Sequence, residues 1–208
     1  MTEETLVLST DEGPRAATLF RPAQPQGLIL FAHGTGSSRQ SPRNRFVAET
    51  LASGTFAALL IDLLTEEETR ANAEISMELL ASRLEAAIER ASRLPDLSAL
   101  PVGLYGASTG AAVALIAAAR HPAVRAVVSR GGRTDLADEW LPRVRVPTLL
   151  IVGEHDVPVL LLNRQALPRF GGETRLAIVP GASHLFPEPG ALERVATLTR
   201  DWFLRHLG

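Results

Sequence analysis

Cysteine is missing from all 208 positions of the chain. Its absence excludes disulfides, thiolate metal sites and a cysteine nucleophile. An excess of either charge is missing too: 21 basic residues stand against 23 acidic ones, a formal net charge of −2. That balance gives no electrostatic basis for binding nucleic acid or an anionic membrane. No apolar run approaches the roughly 18 residues that a membrane span needs. The opening residues, Met1-Thr2-Glu3-Glu4-Thr5, lack the basic-then-apolar order of a signal peptide. Internal repeats, low-complexity tracts and linkers are likewise lacking. The expectation is a soluble cytoplasmic protein forming one domain over residues 1–208, with 46% hydrophobic residues to build a substantial core.

What the chain does contain is alternation. Thr5–Ser9 and Ala16–Phe20 read as short strands around the turn Asp11–Pro14. Leu28–Ala32 and Phe56–Asp62 are continuous apolar runs of the buried, parallel kind. Further strands are expected at Pro101–Tyr105, Val124–Ser129, Val146–Val152 and Thr174–Val179. Helices are expected at Pro42–Ser53, Ala71–Leu94, Ala111–Arg120 and Leu192–Leu207. In the second of these, Met77, Leu80, Leu84, Ile88 and Ala91 share a face at three- and four-residue steps, and Pro95 is the stop. The acidic run Glu66–Glu68 reads as a solvated helix start favoured by the dipole. Strands alternating with helices after an initial strand pair predict an α/β fold, a mostly parallel twisted sheet with helices on both faces.

Between the fifth expected strand and its helix stands Gly106-Ala107-Ser108-Thr109-Gly110, a G-x-S-x-G pentapeptide. A serine at the tip of a sharp strand-to-helix turn is strained, and side chains two residues either side must be very small. The turn projects the hydroxyl and aims free helix N–H groups at whatever it attacks. Ser108 is therefore the candidate nucleophile. An ordinary strand-to-helix connection would also favour small residues, so partners elsewhere must decide.

A serine hydroxyl needs a base. Of five histidines, His206 suits the dipole of the last helix, His121 reads as a helix-end cap before Pro122, and His33 as orienting its own loop. His155, beside Asp156, stays open. His184 lies in the loop Pro180–Phe186 after the last strand, at the sheet edge shared with the elbow, and is the candidate base. Asp156, in Gly153-Glu154-His155-Asp156, is the acid expected to hold its tautomer. Glu154 is expected to be solvated or salt-bridged. For either carboxylate the alternative is capping the helix near Pro158, worth about 1 kcal/mol. The developing oxyanion needs donors: the Thr109 N–H, and the Thr35 N–H in His33-Gly34-Thr35-Gly36. That glycine loop lacks the lysine and the spacing of phosphate-cradling motifs.

Over nearly its whole length the chain resembles a small α/β-hydrolase of the dienelactone-hydrolase-like type, and four segments carry the likeness: His33–Gly36, the Gly106–Gly110 elbow, Gly153-x-x-Asp156 and Gly181-x-x-His184. Ser37–Asn44 and Asp62–Glu67 are similar to a subgroup of uncharacterised members. The order nucleophile, acid, base is that of α/β-hydrolases. Serine stands where dienelactone hydrolase proper has cysteine, which implies ordinary carboxylic esters. In some relatives the acid follows the preceding strand, which makes Asp135 the reserve. Members with a lid often insert it after that strand; here the segment before Val146 has room for little more than one helix, implying an open, shallow site.

Leu63, Leu64, Trp140, Leu160 and Phe186 are candidates to line it, and Arg43 to bind a substrate carboxylate. The sequence thus predicts a serine esterase of small, short-acyl esters, using neither metal nor cofactor. With the same triad, acyl transfer or perhydrolysis is the alternative. From a different class, so is a non-catalytic ligand-binding domain on this fold. The oligomeric state is left open.

Overall fold

Every residue of Gly27–Ala32 (β3), Phe56–Ile61 (β4), Val102–Ala107 (β5) and Thr148–Gly153 (β7) is buried. Strands covered on both faces are what near-continuous apolar runs produce in a parallel sheet. The computed structural model describes residues 1–10, 13–71 and 73–208. Asp11 and Glu12 of the expected turn, and Asn72 of the expected long helix, lie outside the described residues.

Eight strands form one sheet in the order β1-β2-β4-β3-β5-β6-β7-β8. β1 (Thr2–Thr10) and β2 (Gly13–Arg21) pair antiparallel, and β2 meets β4 antiparallel. From β4 onward, through β6 (Val124–Arg130) to β8 (Thr174–Val179), every pairing is parallel. All loops that leave these parallel strands therefore open at one edge, where open α/β sheets bind ligands.

Helices cover both faces. On one side α3 (Met77–Ala91) and α4 (Thr109–Arg120) bury Leu84, Ile88, Val113 and Ile116 against β3, β4 and β5. On the other, α1 (Pro42–Ala52) and α6 (Ala191–Leu207) bury Val47, Leu51, Val195 and Phe203. Two shorter helices, α2 (Glu66–Arg70) and α5 (Val157–Ala166), sit at the loop edge.

Helix α3 is shorter than the expected Ala71–Leu94, although its whole apolar face, Met77 to Ala91, lies within it. Ser76 caps α3, its hydroxyl accepting the Leu79 N–H, so the helix starts at Met77; Ser92 is its C-cap, ahead of Pro95. The acidic run belongs to α2 instead, opened by a capping box in which Thr65 and Glu68 bond each other's backbone N–H. Between β6 and β7 the chain makes only two short 3-10 turns, Thr134–Ala137 and Leu141–Arg143. No helix among the described residues is long and apolar enough to cross a membrane.

Candidate active site

β5 ends at Ala107 and α4 begins at Thr109, leaving Ser108 alone at the corner with φ +54° and ψ −121°. A non-glycine residue there is strained by about 1–3 kcal/mol and persists only when its surroundings over-determine it. They do so here. The Ser108 N–H donates to the Arg130 carbonyl (3.0 Å), and the Ser108 carbonyl accepts from Ala111 and Arg133 N–H (3.1 Å each). The flanking glycines have no room for a side chain. A Cβ on Gly106 would stand 2.5 Å from Ala111 Cα, and one on Gly110 would stand 2.3 Å from the Ala32 carbonyl oxygen. The second contact seats the start of α4 directly against the end of β3.

At the same edge the loops after β7 and β8 are tied together. Glu154 N–H donates to Val179 O (3.0 Å) and His155 N–H to Ala182 O (2.9 Å). The Glu154 carboxylate accepts the Gly181 N–H at 2.8 Å, so it is neither merely solvated nor salt-bridged as expected. Glu188 accepts the Ser183 N–H at 3.0 Å, a bond that holds its carboxyl below the usual carboxylate range. Within this clamp His184 Nδ1 lies 2.6 Å from Asp156 Oδ2. A carboxylate only accepts, so Nδ1 carries the proton and Nε2 is left as the basic nitrogen. Asp156 is 9% exposed and His184 37%, which gives a buried orienting group behind a reachable ring. Asp156 occupies the N-cap position of α5, yet its side chain makes no capping bond among the described residues.

The imidazole packs over the joint after β6. A Cβ on Gly131 would stand 3.3 Å from His184 Cε1 and Nδ1, and the preceding carbonyl, of Arg130, is the one that accepts the Ser108 N–H. One turn of β6 thus carries both the elbow and the histidine ring.

The loop after β3 closes the other side. His33 Nε2 accepts the Leu63 N–H (3.1 Å), so its proton resides on Nδ1 and goes to the Gly34 carbonyl (3.1 Å). Burial pushes this imidazole below its usual value, consistent with a neutral pin. Farther along, Asp62 accepts both the Arg39 N–H and its guanidinium at 2.6 Å. The loop is therefore tied down on either side of the stretch that passes Ser108. Thr35 N–H, expected as a free oxyanion donor, is engaged: it donates to Thr109 Oγ1 at 2.8 Å, and the two threonine hydroxyls are 3.0 Å apart.

The model of the dienelactone hydrolase family matches residues 16–203. The chain belongs to the dienelactone hydrolase family. Over its full length it is 49% identical to a dienelactone hydrolase from Anabaena variabilis, covering 99% of that chain with a TM-score of 0.96. Est1E from Butyrivibrio proteoclasticus shares the fold at 15% identity, with a TM-score of 0.83 over 97% of this chain and 98% of its own. Two Mycobacterium tuberculosis proteins under the provisional name of phosphoribosyl transferase are 55% identical over 196 residues, 93% of this chain. The chain spans 44% of their length.

In this member of the dienelactone hydrolase family the expected lining residues separate into three groups. Leu64, with His33, Ser37, Arg39 and Asp62, borders a cavity of about 360 Å³ beside the β3 loop. Arg43 lines a groove of about 280 Å³ with Leu185 and Pro187. The others pack inward, against expectation. Phe186 borders that groove but is 2% exposed, part of the core beneath α6. Leu160 joins Val152 and Val159 under α5, and Leu63 lies in the core under α3. Trp140 lies between Arg120 and Arg143, at the far end of α4, about 18 Å of helix from Ser108. The reserve acid Asp135 is gripped by the Arg133 guanidinium through two bonds (2.8 and 2.7 Å), which hold its carboxyl below the usual range. No cluster of side chains suited to a metal ion occurs among the described residues.

Proposed function

We propose that this chain is a serine carboxylesterase working through an acyl-enzyme. Ser108 attacks the ester carbonyl while His184 Nε2 takes its proton. The same imidazole then gives that proton to the departing alcohol. Asp156 fixes the tautomer and steadies the imidazolium. The Thr109 N–H, at the first position of α4 and without an intrahelical acceptor, meets the developing oxyanion. Water activated by His184 then releases the acid and restores Ser108. Short acyl groups suit a site where the chain leaving β6 makes only the short 3-10 turn Thr134–Ala137.

One observation carries the reading: Asp156, placed to cap α5, turns its carboxylate to His184 Nδ1 instead. A carboxylate serving only the fold would satisfy the helix, whereas an imidazole fixed by a buried carboxylate has its other nitrogen prepared as a base. The transferase name of the M. tuberculosis proteins belongs, in this reading, to the part of those longer chains that this one does not span.

The test is pre-steady-state hydrolysis of p-nitrophenyl acetate with fluorophosphonate labelling. Native protein is expected to show a burst and to be labelled at Ser108, and Ser108→Ala to lose both. Turnover retained by Ser108→Ala would overturn the assignment.

A further inference from the structure

The Thr35 N–H is already bonded to Thr109 Oγ1, so a second oxyanion donor must be sought in what those two residues leave over. Their hydroxyl oxygens are 3.0 Å apart, close enough for one hydrogen bond. Two hydroxyls bring two protons, and the contact between them uses one. One O–H is therefore left without an acceptor in the pair. Its place is set closely: a Cβ on Gly34 would stand 3.2 Å from Ser108 Cβ and 3.4 Å from Thr109 Oγ1. Thr109 Oγ1 and the Cβ that carries the Ser108 hydroxyl thus border the same side of Gly34.

Resting on the reading of Ser108 as nucleophile, we propose that the Thr109 hydroxyl is the second oxyanion donor, so that one residue supplies both its N–H and its O–H to the tetrahedral intermediate. Thr109 Oγ1 accepts both the N–H and the O–H of Thr35, filling its two lone pairs. Its own proton then faces the substrate carbonyl. An oxygen that accepts two bonds is polarised into a better donor. No proton is transferred in this step; the hydrogen bond shortens as negative charge grows on the former carbonyl oxygen. Thr35 acts as a positioning residue, with its hydroxyl and N–H directing Thr109.

The two candidate donors respond oppositely to truncation. Thr109→Ala removes the hydroxyl and frees the Thr35 N–H. The hydroxyl assignment expects kcat on p-nitrophenyl acetate to fall about 10²-fold with little change in KM, the usual effect of losing one oxyanion donor. Thr109→Ser, which keeps the oxygen, is expected to stay within about threefold of native, and Thr35→Val to lose only a few-fold, because one polarising bond remains. Thr109→Val, which keeps the branched shape and removes only the oxygen, repeats the alanine test should that variant not fold. A kcat in Thr109→Ala at or above native would overturn the proposal, because the freed N–H would then be the donor. So would a serine variant as slow as alanine, which would assign the effect to the methyl group. Should Thr109→Ala be unimpaired while Ser108→Ala is inactive and unlabelled, only the hydroxyl assignment fails; turnover by Ser108→Ala would remove the nucleophile itself.

Discussion

Asp156 stands at the start of α5 and bonds not to that helix but to His184, 2.6 Å away on the neighbouring loop. The amide in Asp156→Asn would offer Nδ1 a donor as readily as an acceptor, releasing the tautomer. In the serine-protease template the equivalent change lowers kcat about 10⁴-fold. A fall of about three to four orders is expected here, with thermal stability within about 1 kcal/mol of native, because Asp156 makes no capping bond to lose and asparagine has the same shape. Steady-state kinetics beside a melting curve would check it, and a loss below tenfold would exclude the orienting role.

Glu154 holds the histidine loop from outside through the Gly181 N–H. Its removal leaves every reacting group in place but loosens the path of residues 180–184. Glu154→Ala is expected to lower kcat about tenfold, since small displacements of positioned groups are costly, while the global unfolding energy changes by about 1 kcal/mol or less. Comparing kcat with a denaturant midpoint separates the two. Equal proportional losses in both would mean that Glu154 serves the fold alone.

His33 is neutral in the folded protein because burial lowers its pKa from 6.5. The unfolded chain binds the proton more readily, so folding is favoured fully above about pH 6.5 and loses ground as pH falls below it. His121 and His206 are lowered by burial as well, so all three act in the same direction. A denaturant midpoint that declines between pH 7.5 and 5.5, with a shallower decline in His33→Asn, is the expected result. Identical slopes in the two proteins would remove His33 as a contributor.

Glu68 joins the capping box of α2 to the buried guanidinium of Arg83, through bonds of 2.7 and 2.9 Å. That pairing holds its carboxyl at about 2, below the usual 4.5. A depressed carboxylate stabilises the fold above its unfolded value, and the contribution disappears as pH falls from about 4.5 to about 2. Glu68→Gln is expected to cost about 2 kcal/mol at pH 7 and to converge on native stability at the acid end. Urea titrations at pH 7 and pH 3 would reveal the convergence, and a constant gap would refute it.

The sheet is legible because β3 and β4 are continuous apolar runs of strand length, the pattern of strands covered on both faces. The elbow was readable because two glycines at fixed offsets answer a steric demand that the backbone imposes. Less could be read where direction matters more than residue type. Nothing in Gly153-Glu154-His155-Asp156 says which carboxylate faces an N–H of the next loop and which faces an imidazole. Trp140 follows β6 in the chain, but α4 runs away from Ser108 and the indole meets its distant end. Nor does the His33–Gly36 pattern reveal that the hydroxyl of Thr109, 74 residues later, reaches the Thr35 N–H. The start of α3 is set by the Ser76 cap, and the apolar spacing begins only at Met77, so nothing periodic supports a helix upstream of it.

The corner at Ser108 has a consequence for how such a chain varies. At φ +54° glycine alone would rest without penalty, and glycine offers no oxygen. A sequence shaped only to remain folded would therefore drift toward glycine at this corner and gain by it. In the proposed mechanism, a hydroxyl kept at this strained position makes the corner a compromise between durability and reactivity.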